Sequence, residues 1–310
     1  MPILHPEPAL VHVSEKASYG LKNEHIHHGY RKNFNSLSCT LKTIFMWHNE
    51  TVNIWSHLIG AIFFFWLILS AGFYIEPTVE QMIKHYIGYH NDDPEIIERD
   101  VFQLQQEIPK TPVYLFLFSA VFCMICSVVY HLLLDYSERV SFYASKLDFA
   151  GISLLICGST CPPIYYTLYC KENELMRTLY LCFTILSCSG AFISMFSKTV
   201  SKPENKKWRA AIFVSCGVSP IYALTQFWLF RDPLTMPPFD PTFWLIGGAT
   251  YIFGAYVYSI KYPESKYPGK FDHCGHSHNL WHCFVIAGAF IQFIAILQVY
   301  HARRLTSCPI

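Results

Sequence analysis

Charged residues are scarce in this chain of 310 residues. Asp, Glu, Lys and Arg together make up 15% of the sequence, whereas an average soluble domain contains roughly 25%. The formal net charge is only +1, so the chain lacks the excess of positive charge that proteins use to bind nucleic acid. Hydrophobic residues make up 52% and aromatic residues 17%. This composition excludes a disordered chain, and no sustained repeat indicates collagen or a coiled coil.

Other familiar patterns are also absent. The twelve cysteines lack the regular spacing of a small secreted disulfide scaffold. No apolar stretch follows the N-terminus, so we expect no cleavable signal peptide. Neither the DRY nor the NPxxY motif of G-protein-coupled receptors occurs in the chain.

The distribution of charge predicts the fold class. Seven intervals of 20 or more residues contain none of the 45 charged residues. A helix rises ~1.5 Å per residue and needs about 20 residues to cross a hydrocarbon core of ~30 Å. The sequence therefore predicts an all-α membrane protein, a bundle of seven transmembrane helices. The predicted spans are 53–75, 112–134, 148–170, 178–197, 210–230, 241–260 and 278–300.

The spans divide the chain into three parts and suggest an orientation. Residues 1–52 form an N-terminal region, residues 53–300 the membrane domain, and residues 301–310 a short tail; the loop 76–111 is long and acidic. Lys and Arg favour the cytoplasmic side. With the N-terminus inside, 15 of these residues are cytoplasmic and 8 are external. We therefore expect a cytoplasmic N-terminus and an extracellular or lumenal C-terminus, in the plasma membrane or an endomembrane.

Three histidines are predicted to lie at the same depth near the cytoplasmic face. His131 is close to the inner end of the second span, and His278 and His282 begin the seventh, four residues apart and thus on one helix face. Polar side chains in spans usually face the bundle interior. Three imidazoles plus a water are the ligand set of an open Zn²⁺ site. His57, in the first span, is instead expected to serve helix packing.

Two further polar residues are predicted beside these histidines. Asp148 starts the third span on the same side, and Ser127 is one turn before His131. An acidic group next to a metal offsets its charge and orients a ligand or the water. The alternative is a buried network of His, Asp and Ser hydrogen bonds without metal, and the spacing alone leaves both interpretations open.

The same residues give the chain a recognisable pattern. It resembles the progestin and adipoQ receptor family, related to haemolysin III, and within it the adiponectin receptors and their heptahelical relatives. The resemblance rests on 49–57 (NETVNIWSH), Ser127 with His131, 137–141 (SERVS), 145–152 (SKLDFAGI), and 267–272 (YPGKFD) followed by His278 and His282.

This resemblance implies more than the spacing does. In that family three histidines bind zinc near the cytoplasmic face, which by position implies His131, His278 and His282 here. It implies that Asp148 interacts through the metal-bound water and that Ser127 belongs to the same constellation, giving both a catalytic role. It further implies a cavity open to lipid or cytoplasm and a ceramidase activity that releases fatty acid from ceramide.

Three functions compete at this point. The first is a seven-helix receptor that signals in lipid metabolism and whose zinc site hydrolyses a lipid amide. The second is a non-enzymatic receptor, of the progestin type, in which zinc only joins helices. The third, implied by the resemblance to one branch of the family, is a Golgi or endomembrane anchor that tethers a signalling kinase through its cytoplasmic tail. Expected partners are the bilayer, ceramide or fatty acid, an extracellular protein or steroid ligand, and a cytoplasmic signalling partner bound through residues 1–50.

Overall fold

The computed structural model describes most of the chain. The described residues are 7–15, 22–71, 108–200, 202, 205–218, 220–229, 232, 235–237, 240–306 and 308. Most of the predicted acidic loop 76–111, the end of the first predicted span and part of the predicted C-terminal tail lie outside them.

The described part is a helical bundle, as the sequence predicts. A short helix α1 (Leu37–Lys42) precedes the long helices. These are α2 (Thr51–Leu69), α3 (Thr111–Leu133), α4 (Glu138–Thr167), α5 (Glu174–Ser194), α6 (Lys206–Val218), α7 (Ile221–Leu229), α8 (Thr242–Ser259) and α9 (Ser277–Arg304). Five of the described helices, α2, α3, α4, α5 and α9, are long and apolar enough to cross a membrane. Their outward faces carry large apolar side chains, including Ile62 and Leu186, as expected of surfaces in contact with lipid.

Local sequence explains where two helices differ from the predicted spans. Helix α4 begins ten residues before the predicted span at 148, because Ser137 caps it: the Ser137 hydroxyl accepts a hydrogen bond from the backbone N–H of Val140 at 3.3 Å. The predicted span 210–230 is divided between α6 and α7, with Pro220 before α7. Proline lacks the N–H that a continuous helix needs there.

The N-terminal region packs against one end of the bundle. Strands β1 (Ala9–Val11) and β2 (Tyr30–Lys32) pair antiparallel, with Leu10 opposite Arg31. Arg31 is buried, and its guanidinium donates to the backbone carbonyl of His131 at 2.6 Å and to the carboxylate of Asp135 at 3.2 Å. Because the last carbonyls of a helix have no partner inside it, this arginine fixes the end of α3.

A disulfide lies at the other end of the bundle. Cys170, just after α4, is bonded to Cys308, just after α9. Both helices run towards this end from the end that carries Asp148 and His278. The disulfide therefore joins the C-terminal segment to the bundle far from the predicted histidine cluster.

Candidate metal centre

The three predicted histidines come together in the structure. His131, in the last turn of α3, meets His278 and His282 from the first turns of α9, and their ring centroids are 4.8–5.0 Å apart. One ligand nitrogen from each ring lies within 4.8 Å of the others, and the group could hold a metal ion. Among the described residues it is the only such group of three or more His, Cys, Asp or Glu side chains.

A buried carboxylate orients His131. Oε2 of Glu50 lies 2.8 Å from Nδ1 of His131, and the two side chains are 5% and 0% exposed. The carboxylate accepts the Nδ1 proton, so Nε2 carries the lone pair that can bind a metal. Nε2 is buried and has no hydrogen-bond partner among the described residues. A buried nitrogen without a partner is costly, and a metal ion is the group that this nitrogen fits.

A backbone carbonyl orients His282 in the same way. Nδ1 of His282 lies 3.0 Å from the carbonyl oxygen of Asn53. A carbonyl can only accept, so Nδ1 carries the proton and Nε2 is left as a ligand. The Asn53 side chain donates to Glu50 and accepts from Asn279, each at 2.7 Å. One residue of α2 therefore connects the supports of two candidate ligands.

Glu50 is held in its charged form. Burial alone would raise the pKa of its carboxyl group, but the hydrogen bonds from His131 and Asn53 hold that pKa well below its usual value. An ionised carboxylate is the form that accepts the Nδ1 proton of a ligating histidine.

Asp148 and Ser127 lie beside the cluster. Ser127 is buried, and the half-buried carboxylate of Asp148 interacts electrostatically with Ser127 and with His131. A carboxylate from α4 and a hydroxyl from α3 therefore lie on the side of the bundle that carries the three imidazoles.

His57 is closer to the cluster than the sequence suggests. Its ring stacks on that of His282, with centroids 3.6 Å apart and planes 15° apart. The ring is buried, and within the part of the chain that the structure describes neither of its nitrogens has a hydrogen-bond partner. His57 does pack between helices, as expected, but it packs against a candidate ligand.

His273 and His276, which precede His278 in the chain, make contacts outside the cluster. His276 donates from Nε2 to the carbonyl of Asn49 at 3.2 Å, and the ring of His273 stacks on Trp47. Neither belongs to the group that could hold a metal.

Sequence reasoning assigned no role at the site to Glu50 or Asn53. A signal was present, because positions 50, 53 and 57 fall at helical spacing, i, i+3 and i+7, at the start of an apolar span. Polar residues in that pattern mark one face of a spanning helix that turns towards the bundle interior. The pattern does not tell which side chains of other helices these residues contact, namely His131 for Glu50 and His282 for Asn53.

The chain is similar to known membrane proteins over most of its length. The model of the family described as "Haemolysin-III related" matches residues 45–293. "Heptahelical transmembrane protein 3" of Arabidopsis thaliana is 32% identical over 95% of this chain and 88% of the relative. "ADIPOR-like receptor IZH2" of Saccharomyces cerevisiae is 32% identical over 90% of this chain and 80% of the relative.

An animal relative shows the same level of similarity. The "Adiponectin receptor protein" of Drosophila melanogaster is 32% identical over 92% of this chain and 58% of its own length. The region that the family model matches contains all three histidines of the candidate metal centre. The chain belongs to the haemolysin-III-related family of transmembrane proteins, together with the heptahelical proteins and adiponectin-receptor-like proteins that it resembles.

Proposed function

We propose that the centre binds one Zn²⁺ through His131, His278 and His282 and that it is of the catalytic type. Support comes from the ligand chemistry: three imidazoles leave a fourth position of a tetrahedral zinc open, as in catalytic zinc sites. It also comes from the fixed orientation of two rings by Glu50 and Asn53, an arrangement typical of ligating histidines.

The proposed reaction is hydrolysis of a lipid amide such as ceramide. In such a reaction water adds to the amide carbonyl carbon, the C–N bond breaks, and a fatty acid and an amine are released. A bound Zn²⁺ lowers the pKa of water to about 7 and so makes hydroxide available at neutral pH. The observation that carries the proposal is the grouping of three imidazoles that could hold a metal ion, with the carboxylate of Asp148 in electrostatic interaction with one of them, His131.

In this proposal Asp148 and Ser127 have distinct tasks. The carboxylate of Asp148 takes up the proton of the attacking water and returns it to the nitrogen of the leaving amine. The hydroxyl of Ser127 holds the Asp148 carboxylate in place and can donate to the oxygen on which negative charge develops. Ser127 is not assigned as a nucleophile, because the three imidazoles of the cluster are committed to the metal.

The proposed orientation puts the centre at the cytoplasmic face. The excess of basic residues in the segments assigned to the inside supports it. A second, independent support is the disulfide between Cys170 and Cys308 at the other end of the bundle, because disulfides persist in oxidising compartments and not in the cytosol. Residues 1–52 are then cytoplasmic, and the C-terminus is extracellular or lumenal.

We further propose that the chain acts as a receptor in lipid metabolism, in the plasma membrane or an endomembrane. The Drosophila relative carries the name adiponectin receptor. The corresponding partners are an extracellular protein or steroid ligand on one side and a signalling protein that binds residues 1–50 on the other. Ceramide and fatty acid are the proposed small molecules.

The function is tested by turnover in a defined membrane. The purified protein in nanodiscs is given ceramide, and released fatty acid is measured by mass spectrometry with native zinc, after chelation and after zinc is restored. We expect turnover that disappears and returns with the metal. A double variant, His278→Ala with His282→Ala, should be inactive, whereas His273→Ala, which changes a histidine outside the cluster, should remain active.

The alternatives give different results in the same assay. A zinc-loaded wild type that is stable and does not release fatty acid would favour a purely structural zinc in a non-enzymatic receptor or scaffold. Zinc content that is unchanged in the double variant would contradict the metal site itself.

A further inference from the structure

The segment 37–47, just before the first long helix, buries two polar side chains and exposes its large apolar ones. An amphipathic segment of a soluble protein does the reverse. Two polar side chains of segment 37–47 face the protein: Thr40 and Thr43 are buried, and the Thr43 hydroxyl accepts a hydrogen bond from Arg31 at 3.0 Å. Its apolar side chains face outwards. Soluble domains bury their apolar face, so this arrangement requires an apolar environment on the outer side.

The outward apolar side chains form one stripe. Leu37, Leu41 and Phe45 follow each other at intervals of four residues, the spacing that places side chains on one helix face. They are 59%, 45% and 84% exposed, and Trp47 beyond them is 60% exposed. With Ser38 and Lys42, the stripe lines an open groove of about 530 Å³.

The stripe is continuous with the lipid-facing side of α2. The indole N–H of Trp55 donates to the carbonyl of Ile44 at 2.8 Å, and its ring meets that of Phe45 edge to face, with centroids 6.3 Å apart. One and two turns beyond Trp55, the exposed side chains of Ile59 and Ile62 continue this surface along the spanning helix. The segment is therefore fixed at the point where α2 enters the membrane.

We propose that segment 37–47 is an interfacial anchor, which lies in the leaflet on the side of the metal centre. Its occupant is the bilayer: Leu37, Leu41, Phe45 and Trp47 lie among the upper acyl chains, in the manner of interfacial amphipathic helices. The ammonium group of Lys42 reaches up to the lipid phosphates, since long cationic side chains extend to the polar layer.

The anchor also has a mechanical connection to the centre. The buried face of the segment holds Arg31 through Thr43, and the same guanidinium binds the carbonyl of His131. The anchor thus fixes, at the membrane surface, the arginine that ends the helix carrying one candidate ligand. Membrane contact at this segment is independent of whether the centre binds zinc or hydrolyses an amide.

Site-specific photo-crosslinking tests the anchor. Full-length protein with the photoreactive residue benzoylphenylalanine at position 45 is placed in nanodiscs of phosphatidylcholine and phosphatidylserine, irradiated and analysed for lipid adducts by mass spectrometry. Two matched variants carry the probe at position 59, on the lipid-facing side of α2, and at position 15, where Glu15 is exposed and charged. The adduct yield at position 45 should be within a few-fold of that at position 59 and about tenfold above that at position 15, since the apolar face of an interfacial helix is immersed.

Other outcomes would overturn the proposal. A yield at position 45 no greater than at position 15, with strong lipid adducts at position 59, would show that the stripe faces water. Adducts at position 45 to a second copy of the chain, in place of lipid, would show that it is a protein interface. Thermal unfolding and zinc content of each labelled variant confirm that the three samples are folded alike.

Discussion

Oε2 of Glu50 lies 2.8 Å from Nδ1 of His131, although the two residues are 81 positions apart in the chain. Glu50 immediately precedes α2, and His131 is in the last turn of α3. The contact holds the imidazole so that its other nitrogen faces His278 and His282. This carboxylate is the strongest indication that the cluster is a metal centre and not a chance grouping of histidines.

Replacing this carboxylate should weaken metal binding without removing a ligand. Loss of a carboxylate that supports a ligating histidine costs about 10–100-fold in metal affinity. We expect a decrease of this size for Glu50→Gln, measured by competition with a zinc chelator.

The matched control is Asp272→Asn. Asp272 is also a buried carboxylate, but it accepts hydrogen bonds from the backbone of His27 and His28 and contacts no candidate ligand. Equal loss of affinity in the two variants would mean that Glu50 acts only through general stability.

Removing ligands should lower zinc content and stability together. The candidate ligands lie on two helices, α3 and α9, so a metal bound by all three would connect these helices and its binding free energy would add to folding. A site saturated at about 100 times its dissociation constant stabilises by about 2.7 kcal/mol. His131→Ala should therefore reduce bound zinc, measured by atomic emission, and lower the melting temperature. Addition of zinc should raise the melting temperature of wild type and leave that of His131→Ala unchanged.

The proposed proton transfer predicts a difference between Asp148 and Ser127. Asp148→Asn should retain zinc and lose at least about a hundredfold in the rate of ceramide hydrolysis, because a general base contributes ~10²–10⁴-fold. Ser127→Ala, which removes only the hydroxyl that holds Asp148, should lose less. Unchanged turnover in a zinc-loaded Asp148→Asn variant would exclude Asp148 as the base.

Stability should fall as the solution becomes mildly acidic, partly through His48. This ring is buried between two fixed partners: Nε2 donates to the carbonyl of Thr43, and Nδ1 accepts from the backbone N–H of Glu50. Burial, with the charge of Arg31, lowers the pKa of His48 from 6.5 to about 4. Between these values the unfolded chain binds a proton that the folded chain does not, so stability is lost as pH falls from 6.5 towards 4.

The effect is measured as the difference in unfolding free energy between pH 7.5 and pH 5.5. Chelator is present at both values, so that release of metal makes no contribution. His48→Gln, which cannot take up a proton, should show a difference smaller by roughly 1 kcal/mol. The same pH dependence in both proteins would assign the loss to other groups.

The disulfide predicts which end of the bundle faces the oxidising compartment. In the variant Cys170→Ser, the half-buried Cys308 loses its partner and becomes a free thiol. We expect a membrane-impermeant maleimide to label it in sealed right-side-out vesicles, whereas Cys274, which is exposed just before α9, should be labelled only in inside-out vesicles. The opposite pattern would reverse the proposed orientation. Because a disulfide restricts the unfolded chain, its loss should also destabilise the protein by about 2–5 kcal/mol.

The sequence by itself determined the fold class and the core of the site. A stretch of about 20 residues without charge predicts a membrane-spanning helix from local sequence alone, since a helix of that length spans the hydrocarbon core. The order of the helices then places one end of α3 next to the start of α9, which brought His131 to His278 and His282 before any contact was known. The cap at Ser137 and the break before α7 at Pro220 are also local signals, readable in the sequence although the predicted spans did not use them.

Only the tertiary structure decided which groups support these histidines. Glu50 and His131 are separated by 81 positions, and Asn53 and His282 by 229. The stacking of His57 on His282 depends on how α2 rotates against α9. Helical periodicity tells which side chains share a face, but packing of side chains between helices sets which faces meet. For this reason the sequence predicted the three candidate ligands, and the structure supplied the carboxylate and the carbonyl that fix the orientation of two of them.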